Sequence, residues 1–95
     1  MVKIDWTPLA ISDLKNIHDY ISIESPAYAN RMIEKLIARV GLLYSFPESG
    51  RIVPEFGKKS IRELIEGNYR IVYKILPDHI GIARVHHTAR LLRKI

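Results

Sequence analysis

Two dipeptides constrain the fold of this chain most strongly. "TP" at Thr7-Pro8 and "SP" at Ser25-Pro26 each set a hydroxyl residue directly before a proline. A Ser or Thr side chain just before a helix accepts a hydrogen bond from the first turn. Proline at the first helical position gives up only an N–H that the helix does not use. Each pair therefore predicts a helix start. After the first, Ala10, Leu14, Ile17 and Ile21 recur at helical spacing, with Asp13, Lys15, Asn16 and Asp19 mostly on the wet face. After the second, Ala29, Met32, Ile33, Leu36, Val40 and Leu43 form the apolar stripe, which "FPESG" ends at Pro47 and Gly50. The residue before a proline disfavours helical backbone, so the second start also stops the first helix. Two helices joined this closely fold back on each other as an antiparallel hairpin.

The flanking segments alternate instead. Val2, Ile4 and Trp6 share one side of a short strand. "SIREL", "YRIVYKIL" and "IGIARVHH" predict three more strands, separated by the hairpin-length breaks "EGN" and "PDH". "RIVPEFGKK" before them reads as an irregular connection, and "LLRKI" after them as a last helical turn or a frayed tail. The order β-α-α-β-β-β predicts an α+β fold. The helical hairpin packs on one face of a small, mainly antiparallel sheet. Ile71, Tyr73 and Ile75 face the helices. The opposite face, with Arg70 and Lys74, is expected to stay open and basic.

At 95 residues the chain supports one core and one domain, spanning residues 1–95. A hydrophobic share of 47% against 26% charged residues excludes a disordered class. No apolar run is long enough to cross a bilayer, and "MVKIDWTPLA" has no signal-peptide core. Without cysteine there is no disulfide or thiolate metal site, which suits a reducing cytoplasm. Charge is distributed unevenly. Residues 1–50 carry five Lys/Arg and six Asp/Glu, whereas residues 51–95 carry ten and four. A basic back half implies an anionic partner, either nucleic acid or an acidic protein; the plainer reading is a solvated basic surface.

Taken together, the motifs resemble the RelE/ParE superfamily of toxins from type II toxin–antitoxin modules, including plasmid stabilisation proteins. The resemblance runs through "W…A..DL..I..YI" (Trp6, Ala10, Asp13, Leu14, Ile17, Tyr20, Ile21), "SP..A" (Ser25, Pro26, Ala29) and "P..GR..PE" (Pro47, Gly50, Arg51, Pro54, Glu55). It continues through "IREL" (Ile61 to Leu64), "YRIVY" (Tyr69 to Tyr73) and "V.H..R.L" (Val85, His86, Arg90, Leu92). The resemblance implies a cytoplasmic toxin neutralised by an acidic antitoxin. Its target would be mRNA on the ribosome in the RelE branch, or DNA gyrase in the ParE branch, which is not known for hydrolytic chemistry. A nucleic-acid-binding or inert member without enzymatic activity is a third class.

Metal-free RNA cleavage needs a base for the 2′-hydroxyl, cations for the developing phosphate charge and an acid for the leaving oxygen. Glu55 suits the base, Arg70 the catalytic cation, and His86 or His87 the acid. Similarity to the YoeB-like ribosome-dependent nucleases implies these same positions, although His87 stands where those enzymes carry tyrosine and the stretch from Glu55 to Arg70 is shorter here. Arg51, Lys58, Lys59, Arg62, Arg84 and Arg90 are candidate phosphate contacts. The chemistry leans toward the nuclease, with the gyrase inhibitor as the alternative and a structural role open for His86. If the last strand stays regular, Arg84 and His86 share a face and His87 takes the other. Adjacent strand histidines do not reach one ion, so neither a metal nor another cofactor is expected.

Overall fold

Thr7 and Ser25 both cap helices. Thr7 Oγ1 accepts from the Ala10 N–H at 3.2 Å, and Ser25 Oγ accepts from the Tyr28 N–H at 3.1 Å. In the computed structural model, which describes residues 2–93, α1 runs Pro8–Ser22 and α2 runs Pro26–Gly41. A single 3-10 turn, Leu42–Tyr44, tightens the end of α2. The Thr7 hydroxyl also lies 2.8 Å from the Ile82 carbonyl, and the Thr7 N–H donates to that carbonyl at 3.1 Å. The start of α1 is thereby pinned to the sheet.

The strands are β1 (Ile4–Trp6), β2 (Arg51–Ile52), β3 (Ile61–Glu66), β4 (Tyr69–Ile75) and β5 (Ile80–His87). They form one mixed sheet in the order β1-β5-β4-β3-β2. β1 runs parallel to β5 and the other pairings are antiparallel. Gly67 turns the chain between β3 and β4 at φ 59°, left-handed backbone that glycine adopts without a Cβ penalty. Leu64, Ile71, Tyr73, Ile80, Ile82 and Val85 meet Ala10, Met32, Leu36, Val40 and Leu43 to form the core between sheet and hairpin.

Three expectations change. The segment after Gly50 is not wholly irregular: Arg51 and Ile52 pair with Glu63 and Arg62 as the edge strand β2. The second face of the sheet is not open throughout. Val53, Ile61, Val72 and Leu92 are buried there with Phe56 packed against them, so the loop after β2 and the C-terminal tail cover it with a second small core. Asp13, assigned by periodicity to the wet face of α1, is only 8% exposed. Leu91 to Arg93 form no helix, and the last two residues of "LLRKI" lie outside the described residues.

Asp13 is buried because of an irregularity in β5. Val72 pairs with Arg84 while Tyr73 pairs with Ile82, leaving Ala83 as the extra residue of a bulge. Strict alternation from Ile80 and Ile82 would send Arg84 into the core. The bulge returns Val85 to the core and turns Arg84 out, where Asp13 meets it at 2.9 and 3.1 Å. Asp13 Oδ2 also accepts the Val85 N–H at 2.9 Å. That N–H lies beyond the reach of β1, so the carboxylate closes the sheet edge.

Gly50 is held where the chain re-enters the sheet. Its N–H donates to Tyr73 Oη at 2.9 Å, and that hydroxyl donates to the Pro47 carbonyl at 2.8 Å. A Cβ at Gly50 would lie 2.6 Å from Tyr73 Oη and 2.7 Å from the Glu63 carbonyl oxygen. Gly50→Ala is therefore expected to lower the melting temperature. Tyr73→Phe leaves the Gly50 N–H and Pro47 carbonyl without their hydroxyl, at a cost of about 1–3 kcal/mol. A thermal melt that places both variants within one degree of the wild type would refute this account of the turn.

Candidate functional site

The residues proposed for chemistry converge on the second face of the sheet. Arg70, in the middle of β4, lies opposite His86 of β5 in register, so the strand is regular beyond the bulge and His86 shares the face of Arg70. His87 points the other way: it is exposed, opposite Tyr69, with the two rings edge to face at 5.8 Å. The adjacent histidines do not form a pair. Among the described residues no group of three or more His, Cys, Asp or Glu side chains is placed to hold a metal ion.

Arg70 is buried and surrounded by acceptors. Its Nη1 donates to Glu63 Oε1 at 3.0 Å and to Glu55 Oε1 at 3.2 Å. Its Nη2 donates to Glu55 Oε2 and, at 3.0 Å, to the Arg90 carbonyl. Glu55 also accepts the Leu92 N–H at 3.0 Å. Glu63, with no exposed side-chain surface, takes a second cation: Arg51 Nε lies 2.5 Å from its Oε2. Two carboxylates and two guanidiniums thus form one neutral chain of ion pairs that ties β2, β3, β4, the loop at Glu55 and the C-terminal tail together.

Electrostatics follow from these contacts. The Arg70 hydrogen bond, helped by the Leu92 N–H, holds the Glu55 carboxyl down at about 2. A carboxylate so stabilised is a weak base. The His86 ring is pushed below its ordinary value, first by burial and then by Arg84, so it is neutral at pH 7. Both its ring nitrogens are buried without a hydrogen-bond partner, and its nearest carboxylate oxygen, Asp13 Oδ2, is 3.9 Å away.

The candidate phosphate contacts separate into two groups. Arg84 is bound to Asp13. Arg62 donates to the carbonyls of Lys59, Glu48 and Gly50, which anchors the loops on either side of β2. Arg51 pairs with Glu63 rather than with Glu55. Lys58 and Lys59, ahead of β3, and Arg90, in the tail, are exposed. Sequence reasoning passed over Glu63 and Asp13, the two buried acids on which these arginines depend. A signal for Glu63 was present in "IRELI": Glu63 alternates with Ile61, so it shares a buried face with an apolar residue.

Two outcomes test this geometry. Arg70→Ala leaves Glu63 buried beside a lost partner, a change that costs about 3–5 kcal/mol; the expected melting temperature falls by more than roughly 10 °C, and an unchanged melt would rule the network out as a structural element. The pH dependence has two windows. Unfolded His86 protonates near 6.5 while the folded ring resists, so its contribution is complete above that value and declines as pH falls below it. Glu55 contributes fully above its ordinary 4.5 and loses that contribution as pH falls toward 2. Denaturant titrations between pH 7 and 5 should show a slope that His86→Phe removes.

Known proteins are similar to this chain along nearly its full length. The family described as the ParE toxin of the type II toxin-antitoxin system, parDE, matches residues 4–92. Toxin RelE2 of Caulobacter vibrioides is 36% identical over 92 residues, covering 96% of this chain and all of the relative. Toxin RelE3 of the same organism is 24% identical and covers 93% of this chain and 96% of the relative. A solved structure titled as a chromosomal ParDE toxin–antitoxin system from P. aeruginosa superposes with a TM-score of 0.75 at 22% identity, over 92% of this chain and 96% of that one; it supports the fold. The two helices, the five-stranded mixed sheet and the match over residues 4–92 lead to one conclusion: the chain belongs to the ParE toxin family of type II toxin–antitoxin systems.

Proposed function

We propose that this toxin acts by binding its target rather than by cutting RNA, and that the target is DNA gyrase. The observation that carries the reading is the state of Arg70. A cation that clamps a scissile phosphate must be reachable, and Arg70 is 5% exposed, with its Nη donors taken by Glu55, Glu63 and the Arg90 carbonyl and its Nε buried. Glu55, the base that cleavage would need, is the other half of the same ion pair. The ParE family match supports gyrase as the target. In this reading Glu55, Arg70 and His86 hold the fold together. Lys58 and Lys59 add long-range attraction to an anionic surface.

The partner in the cell is an acidic antitoxin, which meets the basic back half of the chain. Among the described residues no helix is long and apolar enough to cross a membrane, and a gyrase target places the toxin in the cytoplasm.

The ribosome-dependent nuclease is the second reading. It is favoured by the register that sets His86 opposite Arg70, with Glu55 against the same guanidinium. For that chemistry the tail would have to release Glu55 and Arg70 from Leu92 and Arg90.

Induction of the chain alone in a bacterial host, with pulse-labelled thymidine and amino acid followed in parallel, separates the two. The expected outcome is that thymidine incorporation falls first, and that purified protein blocks gyrase supercoiling in the absence of ribosomes. Protein synthesis falling first, with supercoiling untouched, overturns the gyrase reading in favour of the nuclease.

A further inference from the structure

The outermost strand β1 pairs with β5 on one side and leaves its other side open. The Lys3 carbonyl accepts the Ile80 N–H at 2.8 Å, and the Thr7 N–H donates to the Ile82 carbonyl at 3.1 Å. These backbone groups point toward β5, where Ile4 lies opposite Ile80 and Trp6 opposite Ile82. Alternation along the strand turns the N–H and C=O of Ile4 and Trp6 the other way, out from the sheet edge. Such a row is a template for a further strand unless charge or proline blocks it.

The side chains of β1 and its approach decide which strand fits. Lys3 and Asp5 share one side of the strand, with side chains 73% and 50% exposed. They lie 3.9 Å apart, and Asp5 is 3.9 Å from His79 Nε2. Contacts this long leave both charges open to a closer partner. Val2, Ile4 and Trp6 share the other side and are only partly buried against the core. Leu9, 59% exposed, borders the same depression as Asp5 and Trp6. The edge thus presents one cation, one anion and an incompletely covered apolar rim.

We propose that β1 pairs with β1 of a second copy of this chain, antiparallel about a two-fold axis at Ile4, so that the two sheets become one. Identical strands related by a two-fold axis run antiparallel and present the same residues to each other. The outward backbone groups belong to even-numbered residues, so Ile4 can face Val2, Ile4 or Trp6 of the second copy. Facing Val2 sets Lys3 against Lys3, and facing Trp6 sets Asp5 against Asp5; both oppose like charges. Facing Ile4 sets Lys3 against Asp5 of the second copy, twice by symmetry, and brings Val2 against Trp6 on the apolar side. Charge therefore selects one register. The net charge of +5 is not concentrated here: residues 1–50 carry five Lys/Arg and six Asp/Glu. For the same reason an acidic antitoxin segment finds no net attraction at this edge, which leaves a second copy as the complementary occupant. The inference is independent of whether the toxin's target is gyrase or the ribosome.

Sedimentation of the purified full chain over a dilution series tests the pairing, with Lys3→Glu and Asp5→Lys as exposed charge reversals and thermal melts to confirm that both fold. The wild type is expected to show a reversible equilibrium between the 11.0 kDa monomer and a species of twice that mass. Each variant alone opposes like charges at two symmetric positions, so its dimer dissociation constant should rise by about tenfold or more. Mixing the two variants sets the new acid of one against the new base of the other, and a heterodimer of near wild-type affinity should form. Hydrogen exchange at the Ile4 and Trp6 amides should slow as the wild-type concentration rises. A wild type that stays monomeric throughout overturns the proposal. So do folded single variants that dimerise as the wild type does, or a mixture that does not restore association. A dimer that leaves Ile4 and Trp6 exchange unchanged forms through another face and overturns it as well.

Discussion

Burying Arg70 in the second face of the sheet organises most of what surrounds it. A guanidinium removed from water is tolerated when its charge is matched and most of its donors are used. Glu63 supplies a carboxylate from the neighbouring strand and Glu55 another from the loop, with the Arg90 carbonyl as a further acceptor. Each supplier is thereby fixed in place. The loop after β2 closes down because Glu55 must reach the centre of the sheet, and the tail follows because Leu92 donates to the same carboxylate. Once both are seated, Val53, Phe56 and Leu92 bury apolar surface against Ile61 and Val72. The ion pairs specify the position, and the small core beneath them supplies hydrophobic stabilisation.

This arrangement also bears on function. The residue types that metal-free RNA cleavage calls for are brought together, but they are spent on one another. The Glu55 carboxyl is lowered to about 2, and Arg70 is buried with both Nη groups engaged. The exposed lysines, Lys58 and Lys59, lie before β3, outside this network.

Some of this was legible in the chain and some was not, for identifiable reasons. Thr7-Pro8 and Ser25-Pro26 act through neighbouring backbone, so the caps and both helices could be placed from local sequence. The alternation in "YRIVYKI" likewise assigned Ile71 and Tyr73 to the core. Arg70 was legible as opposite that face, but its burial was not, because the covering elements come from residues 15 positions before it and 20 after it. The bulge at Ala83 was hidden as well. "IGIARV" offers two competing alternations, and only the pull of Val85 into the core and of Arg84 toward Asp13 decides between them. Those contacts span 71 and 72 residues of chain.

By itself, then, the sequence determined the helical hairpin, every strand but the edge strand β2, and the α+β class, while the family came from the resemblance of its motifs. The hairpin, strands and class depend on propensity, periodicity and local capping, which act over a few residues. The tertiary structure alone decided that Glu55 pairs with Arg70, that Glu63 and Asp13 are buried partners of arginine, that burial and Arg84 push the His86 ring below its ordinary value, and that the second face of the sheet is covered. Each of these depends on which distant groups exclude water from a charge, and solvent exclusion is a property of the assembled fold.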